Sequence, residues 1–175
     1  LRYERYTHKK GDLELERCKS CGAPEALSEN RWDLERGIIV NRTTRRRMAV
    51  MGPSQIDPIF QELEQELGDT LPRVVVEAQR RFALNGFSAM RDYPNVEEFR
   101  AGLALRGLGN LKELDIKKTG VRMRMENAVL PLMIVGMMQG IFDAALSTDS
   151  TVDWETSPEG DLALEIKPVM YKVAP

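Results

Sequence analysis

The sequence predicts an α+β domain: helices packed on a twisted, mainly antiparallel sheet, with a small N-terminal Cys-x-x-Cys appendage. Three observations predict it. Alternating apolar and polar residues mark short strands near both ends, apolar stripes at helical spacing fill the middle, and Gly, Pro and Asn punctuate the joints. The length, 175 residues, fits one domain with room for an appendage. A composition 42% hydrophobic and 30% charged is that of a chain that buries a core. The 27 acidic and 25 basic residues leave a net charge of −2, which argues against a protein that coats nucleic acid.

Residues 1–30 are polar, hold both cysteines and the single His, and show no sustained period, so they are assigned to the appendage and residues 31–175 to the main domain. The alternation of Trp32-Asp33-Leu34-Glu35, the run Ile38-Ile39-Val40 and the run Met48-Ala49-Val50-Met51 predict a three-stranded meander. Gly52-Pro53-Ser54 opens a helix, with Ser54 and Asp57 spaced as a capping box and Ile56, Ile59, Phe60, Leu63 and Leu67 forming one stripe. After Gly68 a second helix carries Leu71, Val74, Val75, Ala78 and Phe82 on its expected buried face and ends near Gly86. Asn95 and Glu98 form another capping box, which opens a helix through Phe99 and Leu103 to Gly107.

The C-terminal third reads strand, strand, helix, strand, strand. Leu114 and Ile116 alternate with charged residues, as do Val121, Met123 and Met125, then Val152 and Trp154, then Leu162, Leu164 and Ile166. Between these pairs, the apolar stretch Ala128 to Leu146 is long enough to invite a membrane reading. Its Gln139 and Asp143 favour a buried helix instead. Nothing in the opening residues resembles a secretory leader, and a cytoplasmic location is expected.

The segment Asn127-Ala128-Val129-Leu130-Pro131-Leu132, the helix with Gly136 and Gly140, and the hairpin around Val152-Asp153-Trp154-Glu155 resemble the 4-vinyl-reductase domain family, also known for hydrocarbon binding. The stretch Ile59-Phe60-Gln61-Glu62-Leu63-Glu64-Gln65-Glu66-Leu67-Gly68 is similar to that family's opening helix, so the resemblance spans roughly residues 35 to 168. It is a resemblance of pattern, with no invariant catalytic signature. It implies the fold of the small Golgi-tether subunits, a homodimer, and an apolar cavity for a small hydrophobic ligand. The family's sensor members hold zinc through cysteines in the C-terminal half, where this chain has none.

Four constellations bear on chemistry. Cys18-Lys19-Ser20-Cys21-Gly22 has the spacing of a zinc knuckle, in which the Gly permits the tight turn that aims two thiolates at one metal. Tetrahedral zinc needs more: His8 is the expected third ligand, with Asp12 or Glu14 as the fourth, unless two chains share a site or ligands lie further upstream. A redox dithiol and a plain pair of free thiols remain the alternatives. Arg42, Arg45, Arg46 and Arg47 could grip phosphate or carboxylate, but no aromatics are interleaved among them and a solvated hairpin tip is the simpler reading.

The apolar helix is rich in methionine: Met133, Met137 and Met138 accompany Met123 and Met125, a soft lining that adapts to varied apolar guests. Gly136 and Gly140 either admit another backbone or leave room for a ligand. The expected wall of the pocket is Phe82, Phe99, Leu103, Met133 and Met137. A lone His outside the core and the lack of a Gly-rich phosphate loop argue against a nucleophilic or nucleotide-dependent enzyme. Binding of a small hydrophobic or aromatic molecule is therefore the expected function. A structural protein with a solid core that docks a partner is the rival, and an assembly factor in tetrapyrrole metabolism is a third reading suggested by the resemblance alone.

Overall fold

The computed structural model describes residues 11–86 and 95–169. After a turn of 3-10 helix, strands β1 (Asn30–Asp33), β2 (Ile38–Asn41) and β3 (Arg47–Met48) form the predicted antiparallel meander. Helices α1 (Pro53–Leu67), α2 (Leu71–Gly86) and α3 (Val96–Leu105) follow. Strands β4 (Asn110–Lys117) and β5 (Gly120–Glu126), helix α4 (Pro131–Leu146), and strands β6 (Ser150–Thr156) and β7 (Leu162–Pro168) complete the order expected of the C-terminal third. The four strands make an antiparallel sheet in the order β4-β5-β7-β6.

Period two decides which side of that sheet is dry. Val121, Met123 and Met125 of β5 and Leu162, Leu164 and Ile166 of β7 are buried, while Arg122 and Arg124 between the first three, and Lys167 just after Ile166, face water. Helix α4 covers the dry side through Ile134, Val135, Met138 and Phe142, and α2 packs on the back of α4. With neighbours on two sides, α4 has to be apolar nearly all round, which is why its sequence looks fit for a membrane. No helix among the described residues is long and apolar enough to cross one.

The two glycines of α4 settle one alternative. A Cβ placed on Gly136 would collide with the backbone carbonyl of Val76, and one on Gly140 with that of Arg80. They bring α2 close rather than leave room for a ligand. That approach also fixes which face of α2 is buried: Leu71, Val76 and Ala83 go inside, while Val74 is 48% exposed and Phe82 60% exposed. Of the expected stripe, Leu71 is buried and Val75 packs against the core, whereas Val74, Ala78 and Phe82 lie on the open side. Hydrophobicity selects an apolar face, but the seam with α4 selects the face whose side chains allow two backbones to meet.

Helix starts show the same competition between local rules. α1 begins at Pro53, with extended Gly52 before it and no side-chain cap, so Ser54 lies inside the helix and the Ser54–Asp57 box does not form. Proline's fixed φ starts the helix one residue before the serine could cap it. At α3 the expected cap does form: the Glu98 backbone N–H donates to Asn95 Oδ1 at 2.8 Å, and Asn95 Nδ2 donates to Glu98 Oε1 at 3.0 Å.

Candidate functional site

Three strands and three helices contribute buried residues to the apolar interior. Phe99 and Leu103 reach it from α3, Leu111 from β4, Met123 and Met125 from β5, and Met138 and Phe142 from α4, all buried in one cluster. Met137 packs against that cluster and is half-buried. Of the five expected wall residues, then, Phe99, Leu103 and Met137 share one apolar layer. Met133 is half-buried on α4 outside the cluster, and Phe82 sits on the open face of α2.

The approach to α4 is strained. Asn127 and Leu130 adopt φ of +54° and +57° in the link from β5 to Pro131, a region that a leucine rarely visits. Backbone bonds hold the link there: Ala128 N–H donates to Gly160 O at 2.8 Å and Val129 N–H to Leu108 O at 2.9 Å. Gly109 is required alongside, because a Cβ there would strike the Glu126 carbonyl and the Met125 sulfur.

Charged groups ring this layer. Arg80 of α2 donates from Nε to Asp143 Oδ2 at 2.5 Å and from a terminal nitrogen to Asp149 Oδ1 at 2.7 Å, tying α2, α4 and the start of β6 together. Burial opposes the guanidinium's charge, but the bonds from Asp143 and Asp149 outweigh it and hold the Arg80 pKa above its ordinary value. Gln139 also has a structural role, donating from Nε2 to Ser150 O at 2.8 Å.

A second polar cluster lies where α3 meets β4. Asp12 Oδ1 accepts from Arg100 at 2.6 Å and from Asn110 Nδ2 at 3.0 Å, while Asp12 Oδ2 pairs with Lys112 Nζ at 2.7 Å. Those donors, Asn110 and Lys112 foremost, hold the Asp12 carboxyl well below the usual carboxylate range. Asp12, offered by the sequence as a fourth zinc ligand, is thereby engaged with Arg100, Asn110 and Lys112.

The Cys18–Cys21 turn is closed by Gly22 N–H donating to Cys18 O at 2.9 Å, with Gly22 at φ +73°. Backbone N–H groups of Cys21 and Ser20 hold the Cys18 thiol below its ordinary range, and both cysteines are free. Among the described residues no group of three or more His, Cys, Asp or Glu side chains could hold a metal ion. His8, the expected third ligand, lies outside the described residues. The turn supplies two donors, which is half of a tetrahedral site.

Arg42, Arg45, Arg46 and Arg47 are exposed on the β2–β3 turn, which is shaped by Asn41 Oδ1 accepting from the Thr44 backbone N–H at 2.8 Å. On the wet side of the large sheet lies a hollow of about 920 Å³ whose rim includes Glu113, Arg122, Arg124, Asp153, Glu155 and Glu165. It is a charged surface, distinct from the apolar layer behind the strands.

These features define a class: an α+β domain in which an antiparallel sheet and a buried helix enclose a methionine-rich layer. In solved structures the chain is similar to the phenol-responsive sensory domain of the transcription activator PoxR, determined with phenol, at TM-score 0.60 and 12% identity over 81% of this chain and 85% of that one. It also matches a vinyl-4-reductase family protein from Methanocaldococcus jannaschii at TM-score 0.43 and 16% identity, over 65% of this chain and 81% of that one. A member of the H-NOX family matches at TM-score 0.44 and 14% identity, over 75% of this chain and 81% of that one. A vinyl-4-reductase family protein thus stands among the similar structures, as the sequence resemblance led one to expect. No protein-family model matches the sequence, and no curated protein matches it.

Proposed function

We propose that this domain binds a small hydrophobic or aromatic molecule in the apolar layer between α3, α4 and the sheet, as a sensor or carrier module. The observation that carries the reading is the soft, sulfur-rich surface formed by Met123, Met125, Met137 and Met138 against Phe99 and Leu103. It lies in a fold shared with a domain determined with phenol. Affinity would come from apolar area removed from water, at ~25 cal/mol per Å², with few polar groups to set orientation. Phe99, Leu103 and Met137 form the wall, with Met133 on the same helix as Met137, while Phe82 lies on the far, open side of α2.

Native mass spectrometry of gently extracted protein tests this: a co-purifying apolar small molecule is expected. Met137→Trp should weaken its binding while thermal unfolding stays cooperative. Unchanged affinity in that variant removes the pocket assignment.

A second reading, an interaction protein that pairs with itself or docks a partner, draws on the open apolar residues Ile59, Leu63 and Leu67 of α1 and Val74 and Phe82 of α2. A homodimer in sedimentation, with no small molecule released on denaturation, would favour it. Structural zinc on Cys18 and Cys21, completed by His8 or by a second chain, belongs to the same proposal. Elemental analysis should find about one zinc per chain, or one per two chains if shared, lost in Cys21→Ser.

A further inference from the structure

Arg100 is held in an unusual state. Its side chain is only 17% exposed, and it stands on α3 beside Phe99 and one turn before Leu103, both in the apolar layer. One terminal nitrogen serves Asp12 at 2.6 Å and lies 3.4 Å from Asn110 Oδ1, and the other lies 4.0 Å from Glu97. Nε is buried and has no acceptor among the described residues. A guanidinium presents five N–H donors, and leaving one buried without a partner costs free energy that a packed core ordinarily avoids.

Arg100, Asn110 and Lys112 come from two adjoining elements and converge on one carboxylate, which the chain itself supplies from a segment 88 residues away in sequence from Arg100. Two cations and an amide around one carboxylate form an oxyanion cradle. The neighbouring acids, Glu97 and Glu126, stand off at 4.0 Å from Arg100 and Lys112, so neither fills it. Asn110 and Lys112 flank the buried Leu111 and so point away from the apolar layer at the edge of the sheet, and the cradle borders the proposed ligand layer through Arg100, whose neighbour Phe99 on α3 is buried in the apolar cluster.

We infer that the cradle of Arg100, Asn110 and Lys112 is a carboxylate-recognition site, that Asp12 is its tethered occupant, and that the ligand class is an apolar acid rather than a neutral hydrocarbon. The ligand's carboxylate takes the position of the Asp12 carboxylate and adds an acceptor for Arg100 Nε, while its apolar body enters the layer lined by Phe99 and Leu103. Binding then frees the N-terminal segment from α3. This rests on the apolar-site reading above and specifies its ligand.

The test compares benzoate with toluene, which differ by a carboxylate in place of a methyl group, by titration calorimetry on the full chain. Asp12→Ala removes the internal competitor and should tighten benzoate by roughly ten-fold or more while moving toluene less than about two-fold. Adding Arg100→Met to Asp12→Ala should abolish the preference for benzoate. Lys112→Gln in the same background should reduce it, and serves if the Arg100 variant fails to fold.

Benzoate affinity unchanged by Asp12→Ala, or toluene tightened equally, overturns the inference while leaving an apolar site in place. Acetate binding as tightly as benzoate also overturns it, because the site would then read charge alone. Benzoate gained in Asp12→Ala with no toluene binding in any variant upholds the cradle and removes the neutral-hydrocarbon version of the pocket. Failure of both probes in every variant overturns both readings together.

Discussion

The two halves of this molecule are held together by different physics. Every buried apolar residue among the described ones lies at or beyond Leu71, in α2, α3, α4, the large sheet and its connections. Before that point the meander and α1 bury only Asp57, and leave Trp32, Leu34, Val50 and Ile59 more than half exposed. The second half is a layered core, whose stability comes from area removed from water and from two helix backbones in contact. The first half adds its own ladder hydrogen bonds and reaches the core through directional polar contacts, Asp12 on Arg100, Asn110 and Lys112 foremost. A region attached by a few polar contacts opens at low cost, whereas a packed layer opens only with the whole.

The sharpest break in that contrast is at the α2–α4 seam. Gly140→Val forces a side chain into the Arg80 carbonyl and should cost about 3 kcal/mol or more in urea unfolding, with loss of cooperativity. A loss below about 1 kcal/mol would mean the two helices are not in backbone contact. Asp143→Ala should be nearly as severe, about 3 kcal/mol, because the Asp143 side chain is 2% exposed and its removal strips a largely buried Arg80 of its closest partner. Arg80→Met in the Asp143→Ala background should recover part of that loss, since no unpaired charge then remains buried.

Effects on the other half should be local. Asp12→Asn should speed amide exchange across residues 11–30 and leave the global unfolding midpoint unmoved. A drop in that midpoint would show that the first half is welded to the core after all. The same tether has a pH signature. Its carboxyl is depressed in the folded state, so the tether's contribution is fully present above the ordinary carboxylate range and is lost only as pH falls through the lower folded value. The Asp12 carboxyl ¹³C shift should therefore titrate below the ordinary value of about 3.9, and an unshifted titration would remove the tether. The smallest change is expected at α1: Ile59→Lys, on a 58% exposed position, should shift stability by no more than about 0.5 kcal/mol in dilute protein. A larger, concentration-dependent effect would show that a second copy covers this face.

How much of this was legible in the sequence follows the same division of forces. The strand–strand–helix–strand–strand order was readable because Val121-Arg122-Met123-Arg124-Met125 and Leu162-Ala163-Leu164-Glu165-Ile166 alternate cleanly and α4 is apolar on all sides. The Asn95 cap was readable because capping is decided within one turn of chain. The buried face of α2 was not, since Val74 and Phe82 look as buriable as Val76, and only the glycines of a distant helix decide between them. Nor could the sequence pair Asp12 with Arg100 and Lys112: ion pairs carry no periodicity, and Asp12 stands much nearer in sequence to the cysteines. Of the residues named for the pocket wall, Phe99 and Leu103 lie in the buried cluster because the short α3 has one apolar face, whereas Phe82 lies on the exposed side of α2.

The glycine seam has a mechanical consequence. With the carbonyls of α2 resting in the glycine-lined groove of α4, and α4 pressed to the strands on its other side, neither helix can yield space without breaking a rigid contact. The compliant wall is α3, joined to the sheet mainly along β4. A guest in the methionine layer would therefore lever α3 outward, and Arg100 would carry that movement to the N-terminal segment.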